Sequence, residues 1–129
     1  MALTWTIAHE EKLVTVFIGS QLTVEDVQAC FTAITEAGAI PYRKLVDLTQ
    51  APLLLGMAGI RGIAQRIKKV PEGVRRGPAA FVVTTELAKE MVATFDHQMG
   101  VPRPMAMFRT REQARAWLLS LPAGDEVVQ

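Results

Sequence analysis

Lys44-Leu45-Val46-Asp47-Leu48-Thr49-Gln50-Ala51-Pro52 is the stretch on which the architecture turns. Its short apolar run, 44–48, is too brief for a helix and lies between Pro41 and Pro52, so it reads as a buried strand. A helical pattern flanks it on either side. Upstream, Thr23 followed by Asp26 marks an N-cap, and Val24, Val27, Phe31 and Ile34 recur at spacings of three, four and three, with Cys30 and Ala37 beside them and Gly38 as the stop. Downstream, Met57, Ile60, Ile63, Ala64 and Ile67 keep helical spacing, and Lys68, Lys69 and Pro71 end that helix near Val70.

The same alternation continues outward. Pro78 to Val83 is a second short apolar strand, and Thr84-Thr85-Glu86 caps a helix that carries Leu87, Met91, Val92, Phe95 and Met99 on one side, stopped by Gly100 and Pro102. Met105 to Phe108 forms the last strand. Thr110 with Gln113 is a capping box opening a helix with Ala114, Trp117, Leu118 and Leu121 inward, ended by Pro122 and Gly124. At the other end of the chain, Leu3, Trp5 and Ile7 alternate with Thr4 and Thr6, and the polar residues 8–12 lead into Leu13 to Ile18, closed by Gly19. That pair reads as an antiparallel hairpin. The order β-β-α-β-α-β-α-β-α predicts an α/β fold: a mixed five-stranded sheet with an antiparallel N-terminal hairpin, four α-helices, right-handed crossovers and parallel pairing of the last four strands. One domain over 1–122 accounts for all of it, followed by a polar tail, 123–129.

Composition sets the bounds. At 129 residues, half of them apolar and 21% charged, the chain is long enough to bury a core without staples. The single Cys30 forms no internal disulfide and falls at an apolar helical position, so a buried thiol is expected. The first residues, Met1 to Ile7, encode neither a signal peptide nor a membrane span, which points to a cytoplasmic protein. A net charge of +1 hides an asymmetry, since Arg61, Arg66, Lys68, Lys69, Arg75 and Arg76 fall in one stretch opposed only by Glu72. No nucleic-acid motif or interleaved aromatic accompanies these cations, so they read as a solvated helix face and loop, and no nucleic-acid partner is expected.

Chemistry-bearing patterns are sparse. No nucleophile with a base, no paired carboxylates, no phosphate loop and no metal-ligand spacing is visible; His9 and His97 read as surface residues, and no metal, cofactor or catalytic residue is expected. One constellation stands out. Asp47 and Thr49 end a central strand, before Leu53, Leu54, Leu55, Gly56 and Met57, at the carboxyl edge where open α/β sheets place their sites. Either this is a recognition surface, or Asp47 serves turn donors through Asx-type bonds while the leucines pack under the loop.

Over nearly its whole length the chain resembles the SpoIIAA-like, STAS/SEC14-domain family of small bacterial proteins related to anti-sigma-factor antagonists. The resemblance rests on Val14-Thr15-Val16-Phe17-Ile18-Gly19, Leu45-Val46-Asp47-Leu48-Thr49, Phe81-Val82-Val83, the Met91 to Phe95 helix and the stretch Phe108 to Leu118, FRTREQARAWL. It implies a non-enzymatic regulatory domain that binds a protein partner through the loop and helix after the third strand. In anti-sigma-factor antagonists a serine after that strand is phosphorylated to switch binding. Here the corresponding residues are about Leu55-Gly56-Met57-Ala58, without a hydroxyl, so the switch is expected to be lost, with Thr49 the only nearby hydroxyl to accept a phosphoryl group.

Two expectations follow. The leading one is a protein-interaction module acting through Asp47, Thr49, Leu53, Leu54, Leu55, Gly56 and Met57, able to form a homodimer. The alternative is a SEC14-like carrier or sensor of a small apolar ligand or lipid, drawing on Met57, Met91, Phe95 and Met99. Whether the space beneath residues 53–57 is filled or open separates them.

Overall fold

The computed structural model describes residues 3–51, 57–67, 75–100 and 103–121. Along these the chain forms β1 (Leu3–Ala8), β2 (Leu13–Ile18), α1 (Val24–Glu36), β3 (Arg43–Asp47), α2 (Met57–Ile67), β4 (Ala79–Val82), α3 (Glu86–Met99), β5 (Met105–Phe108) and α4 (Arg111–Leu119). Every expected element is present in the expected order; the end of α2 anticipated near Val70 lies outside the described residues.

Local chemistry places the boundaries. Thr23 accepts a hydrogen bond from the Asp26 amide at 3.1 Å, the N-cap expected at the start of α1, and Asp26 in turn accepts one from the Thr23 amide at 3.3 Å, completing a capping box. Thr85 and Thr110 likewise accept from the Ala88 and Gln113 amides at 3.1 and 3.2 Å, satisfying donors that the first turns of α3 and α4 leave open. Gly100 ends α3 at φ +61°, a left-handed conformation that a side chain would oppose.

The five strands lie side by side in sequence order, β1-β2-β3-β4-β5, with β1 antiparallel to β2 and every later pair parallel. Because that order never reverses, right-handed crossovers send all three connecting helices to one side of the sheet. The packing agrees. Val14, Val16 and Ile18 of β2 meet Cys30 and Ile34 of α1, and Ala79, Phe81 and Val83 at β4 meet Ala88 and Val92 of α3. The alternate residues Leu13, Leu45, Ala80 and Val82 point the other way and pack on Ala114 and Leu118 of α4. Ala80 and Ala114 are both fully buried, and two such small side chains let α4 sit close on the sheet.

Three helices therefore cover one face and a single short helix the other. Polar clasps hold α4 down. The Arg43 guanidinium donates from Nε to the Leu121 carbonyl at 2.8 Å and from Nη1 to the Glu11 carbonyl at 2.7 Å, and Arg115 pairs with the Glu11 carboxylate.

Candidate functional site

The two-residue period of β3 turns Asp47 toward α4, not toward the three-helix face. Its residue is only 5% exposed. Oδ1 accepts from the Thr49 amide at 2.9 Å and from the Thr49 hydroxyl at 2.6 Å, and Oδ2 accepts from Arg111 Nε at 2.6 Å. Burial alone would raise this carboxyl; the Thr49 hydrogen bonds, the Arg111 hydrogen bond and the Arg111 charge outweigh it and hold the group below its ordinary value. Arg111 opens the first turn of α4, and its guanidinium lies 5.6 Å from the centre of the Phe17 ring. Asp47 is thus the anchor to which the start of α4 is tied.

Thr49 donates its hydroxyl to that carboxylate. A phosphoryl group on the same oxygen would remove the donor and set a dianion against a buried acid. Of the remaining residues expected at this edge, Leu53, Leu54, Leu55 and Gly56 lie outside the described residues, and Met57 begins α2. A ligand crevice at the carboxyl edge needs a reversal of strand order, and this sheet has none.

The opposite face holds an opening. Between the sheet and α1, α2 and α3 lies a cavity of about 230 Å³ with an almost wholly apolar lining. Its floor includes the short side chains Val16, Val46 and Ala79, which leave space where helices span a broad sheet. Its walls include Ile34, Ile63 and three of the four residues that the sequence offers for an apolar ligand, Met91, Phe95 and Met99, while the side chain of the fourth, Met57, lies outside what the structure describes. Phe95 meets the floor residue Phe81 edge-on, ring centres 6.4 Å apart. Cys30 also lines the wall, and burial pushes its thiol up to about 11.

One end of this apolar space is cationic. Parallel strands bring their entry points to a common edge, and there Lys44 in β3, Arg76 just before β4 and Arg103 just before β5 all reach the lining. Lys44 Nζ donates to the carbonyls of Tyr42 at 2.7 Å, Ala39 at 3.3 Å and Ile40. Burial, reinforced by the nearby charges of Arg103 and Arg76, pushes its ammonium down to about 7. Arg76 sits 5.6 Å from the centre of the Phe31 ring, and burial with the Arg103 charge lowers it to about 10. The Arg103 side chain is 5% exposed and reaches Asp96 at 3.8 Å; burial lowers it too, against the pull of Asp96. Among the described residues no acid lines the cavity.

This cationic end escaped the reading of the sequence, though part of its signal was there. Lys44 shares the period-two face of Val46 and Leu48, so a strand read as buried already placed an ammonium inward. Arg76 was grouped with a solvated cluster, in which Arg61 and Arg75 are indeed exposed. Arg103 follows a helix stop and carries no local pattern at all.

No protein-family model matches the chain, and no curated protein does. Among solved structures, the chain is similar to an uncharacterised protein of the DUF3478 family with a SpoIIAA-like fold from Shewanella loihica PV-4, with a TM-score of 0.65, 19% identity and coverage of 91% of this chain and 94% of that one. At that identity the likeness is one of fold, and it agrees with the five-stranded mixed sheet and four helices seen here: the fold is SpoIIAA-like.

Proposed function

We propose that this SpoIIAA-like domain is a non-enzymatic cytoplasmic binding protein that takes a small apolar ligand between its sheet and the layer of α1, α2 and α3, as a carrier or sensor. The carrying observation is the cavity. Apolar side chains lining a pocket of about 230 Å³ lack packing partners on one side, and covering them with an apolar ligand is favourable by roughly 25 cal/mol per Å² removed from water.

Recognition of a protein partner at Asp47 and Thr49 is the weaker reading, because both side chains are engaged with each other and with Arg111. Native mass spectrometry and solvent extraction of the purified protein test the carrier reading. A stoichiometric co-purifying lipid, or uptake of an added medium-chain amphiphile, supports it. Val46→Phe, which builds a ring into the middle of the floor, is expected to abolish that uptake while the protein stays folded by circular dichroism. A protein that neither retains nor takes up any amphiphile refutes the reading.

A further inference from the structure

We infer that Arg103 is the residue by which this cavity selects its ligand: an apolar molecule with an oxygen acceptor at one end, a ketone, ester or carboxyl oxygen that the Arg103 guanidinium receives at the strand-entry edge. The inference rests on the carrier reading and deepens it.

Three observations carry it. The first is an unanswered donor. The Arg103 side chain is only 5% exposed, and its buried Nε–H has no hydrogen-bond partner among the described residues. A donor shut away from water without an acceptor costs about 1–3 kcal/mol, more on a charged group, and native folds leave few of them. The second is the way Arg103 is held. The acid it reaches, Asp96 of α3, stands 3.8 Å from Nη2, close enough to attract the guanidinium but too far to accept a hydrogen bond from it. The third is position. Arg103 lines the cavity, whose lining then runs past Val46 to Leu48 at the far edge on almost wholly apolar side chains. Its neighbour Lys44 already directs its ammonium at the carbonyls of Ala39, Ile40 and Tyr42.

What the Arg103 donor requires is an oxygen lone pair, whatever the charge of the molecule that carries it. Selection follows from that requirement. A hydrocarbon of the right shape fills the apolar space and leaves the donor bare, whereas a molecule of the same shape with an oxygen at that end satisfies it. Sites that hydrogen-bond one ligand group discriminate strongly against analogues lacking the group, because the buried protein donor then goes unpaired.

Methyl hexyl ketone and the alkene in which a methylene replaces its oxygen share one shape and differ in the acceptor. Their affinities for the full chain are read by ligand-observed NMR. The alkene gains more from leaving water, so the quantity compared is the ketone-to-alkene affinity ratio in wild type and variants. That ratio is expected to fall at least about tenfold in Arg103→Met, the loss of a hydrogen bond from a charged donor. Arg103→Lys, which keeps a donor of different geometry, recovers part of it, and Met91→Leu, which reshapes a wall without removing a donor, leaves it within about threefold of wild type. In nitrogen-15-labelled wild type the Arg103 Nε–H resonance is expected to move downfield on adding the ketone and not on adding the alkene. This second measurement needs no variant, and it decides the matter if Arg103→Met fails to fold in a thermal melt. A ratio in folded Arg103→Met within about threefold of wild type overturns the inference and leaves the carrier reading standing. An Nε–H resonance that the two compounds affect alike does the same. If neither compound binds the folded wild type, the inference falls, and the carrier reading falls with it only where amphiphile co-purification and uptake fail as well.

Discussion

Replacing Asp47 by alanine removes an acceptor that serves three donors at once, the Thr49 amide at 2.9 Å, the Thr49 hydroxyl at 2.6 Å and Arg111 Nε at 2.6 Å. Hydrogen bonds to a charged group contribute roughly 1.5–3 kcal/mol each, but the three losses are unequal. The Thr49 hydroxyl can rotate to another partner, and the Arg111 side chain, 49% exposed, returns to water. The amide is left with the largest deficit. The sum is about 3 kcal/mol for Asp47→Ala, against about 1 kcal/mol for Arg111→Ala, whose partner keeps its two bonds from Thr49. At roughly 4 °C per kcal/mol for a domain of this size, melting falls by about 12 °C and about 4 °C. The loss in the double variant is expected to be about 1 kcal/mol smaller than the sum of the two single losses, the pairwise coupling that a double-mutant cycle isolates. The acid limb adds a check. Because the folded carboxyl is held below its ordinary value of 3.8, its contribution is fully present above that pH and is lost as pH falls through the folded value, so wild-type and Asp47→Ala stabilities converge in acid. Differential scanning calorimetry and urea titration from pH 2 to 7 measure all of this. Asp47→Ala melting within about 2 °C of wild type would show that the carboxylate does not anchor α4.

Other expected outcomes follow from particular side chains. Lys44 titrates near 7 when folded and near 10.5 when unfolded, so the unfolded chain binds the extra proton between these values and stability rises with pH there; from pH 7 to 9 the urea-derived gain is about 2 kcal/mol, and it is absent in Lys44→Met. A flat wild-type profile over that window would contradict the buried ammonium. Gly77→Ala drives a Cβ into the backbone carbonyls of Pro41 and Tyr42, which cannot swing aside as a side chain could; a loss of about 3 kcal/mol or more is expected in denaturant titration, and a neutral substitution would contradict the close approach. Cys30, with a thiol pushed from 9.0 to about 11, presents roughly 100-fold less thiolate at pH 8 than an unfolded cysteine, and iodoacetamide labelling of native against urea-unfolded protein should slow by at least that factor. Labelling at equal rates would mean the thiol is not buried.

The fold was legible because each local signal agreed with its neighbours. Thr23, Thr85 and Thr110 marked helix starts by the same hydroxyl chemistry, and the period of two in Leu3-Trp5-Ile7 placed the hairpin. The candidate site was legible only in part. Met91, Phe95 and Met99 share one stretch of helix, so spacing alone could gather them. Lys44, Arg76 and Arg103 come from three separate strand entries, and only the parallel register makes them neighbours. Asp47 admitted two readings along the sequence, and its bond from the Thr49 amide is the Asx-type one of them. A strand end is easily located along a sequence, but which way its side chain points depends on register, and here register turns it to the α4 side.

The one-sided winding leaves the hairpin half bare. On the side that α4 occupies, β1 presents Thr4 and Thr6 to solvent and β2 presents the half-buried Thr15, hydroxyls that keep a branched shape suited to an extended chain without making a sticky surface. This washed panel lies across the full thickness of the sheet from the hollow interior. Dyes, surface tethers or immobilising groups attached at Thr4 or Thr6 would therefore report on the protein, or hold it on a chip, without intruding on whatever its interior contains.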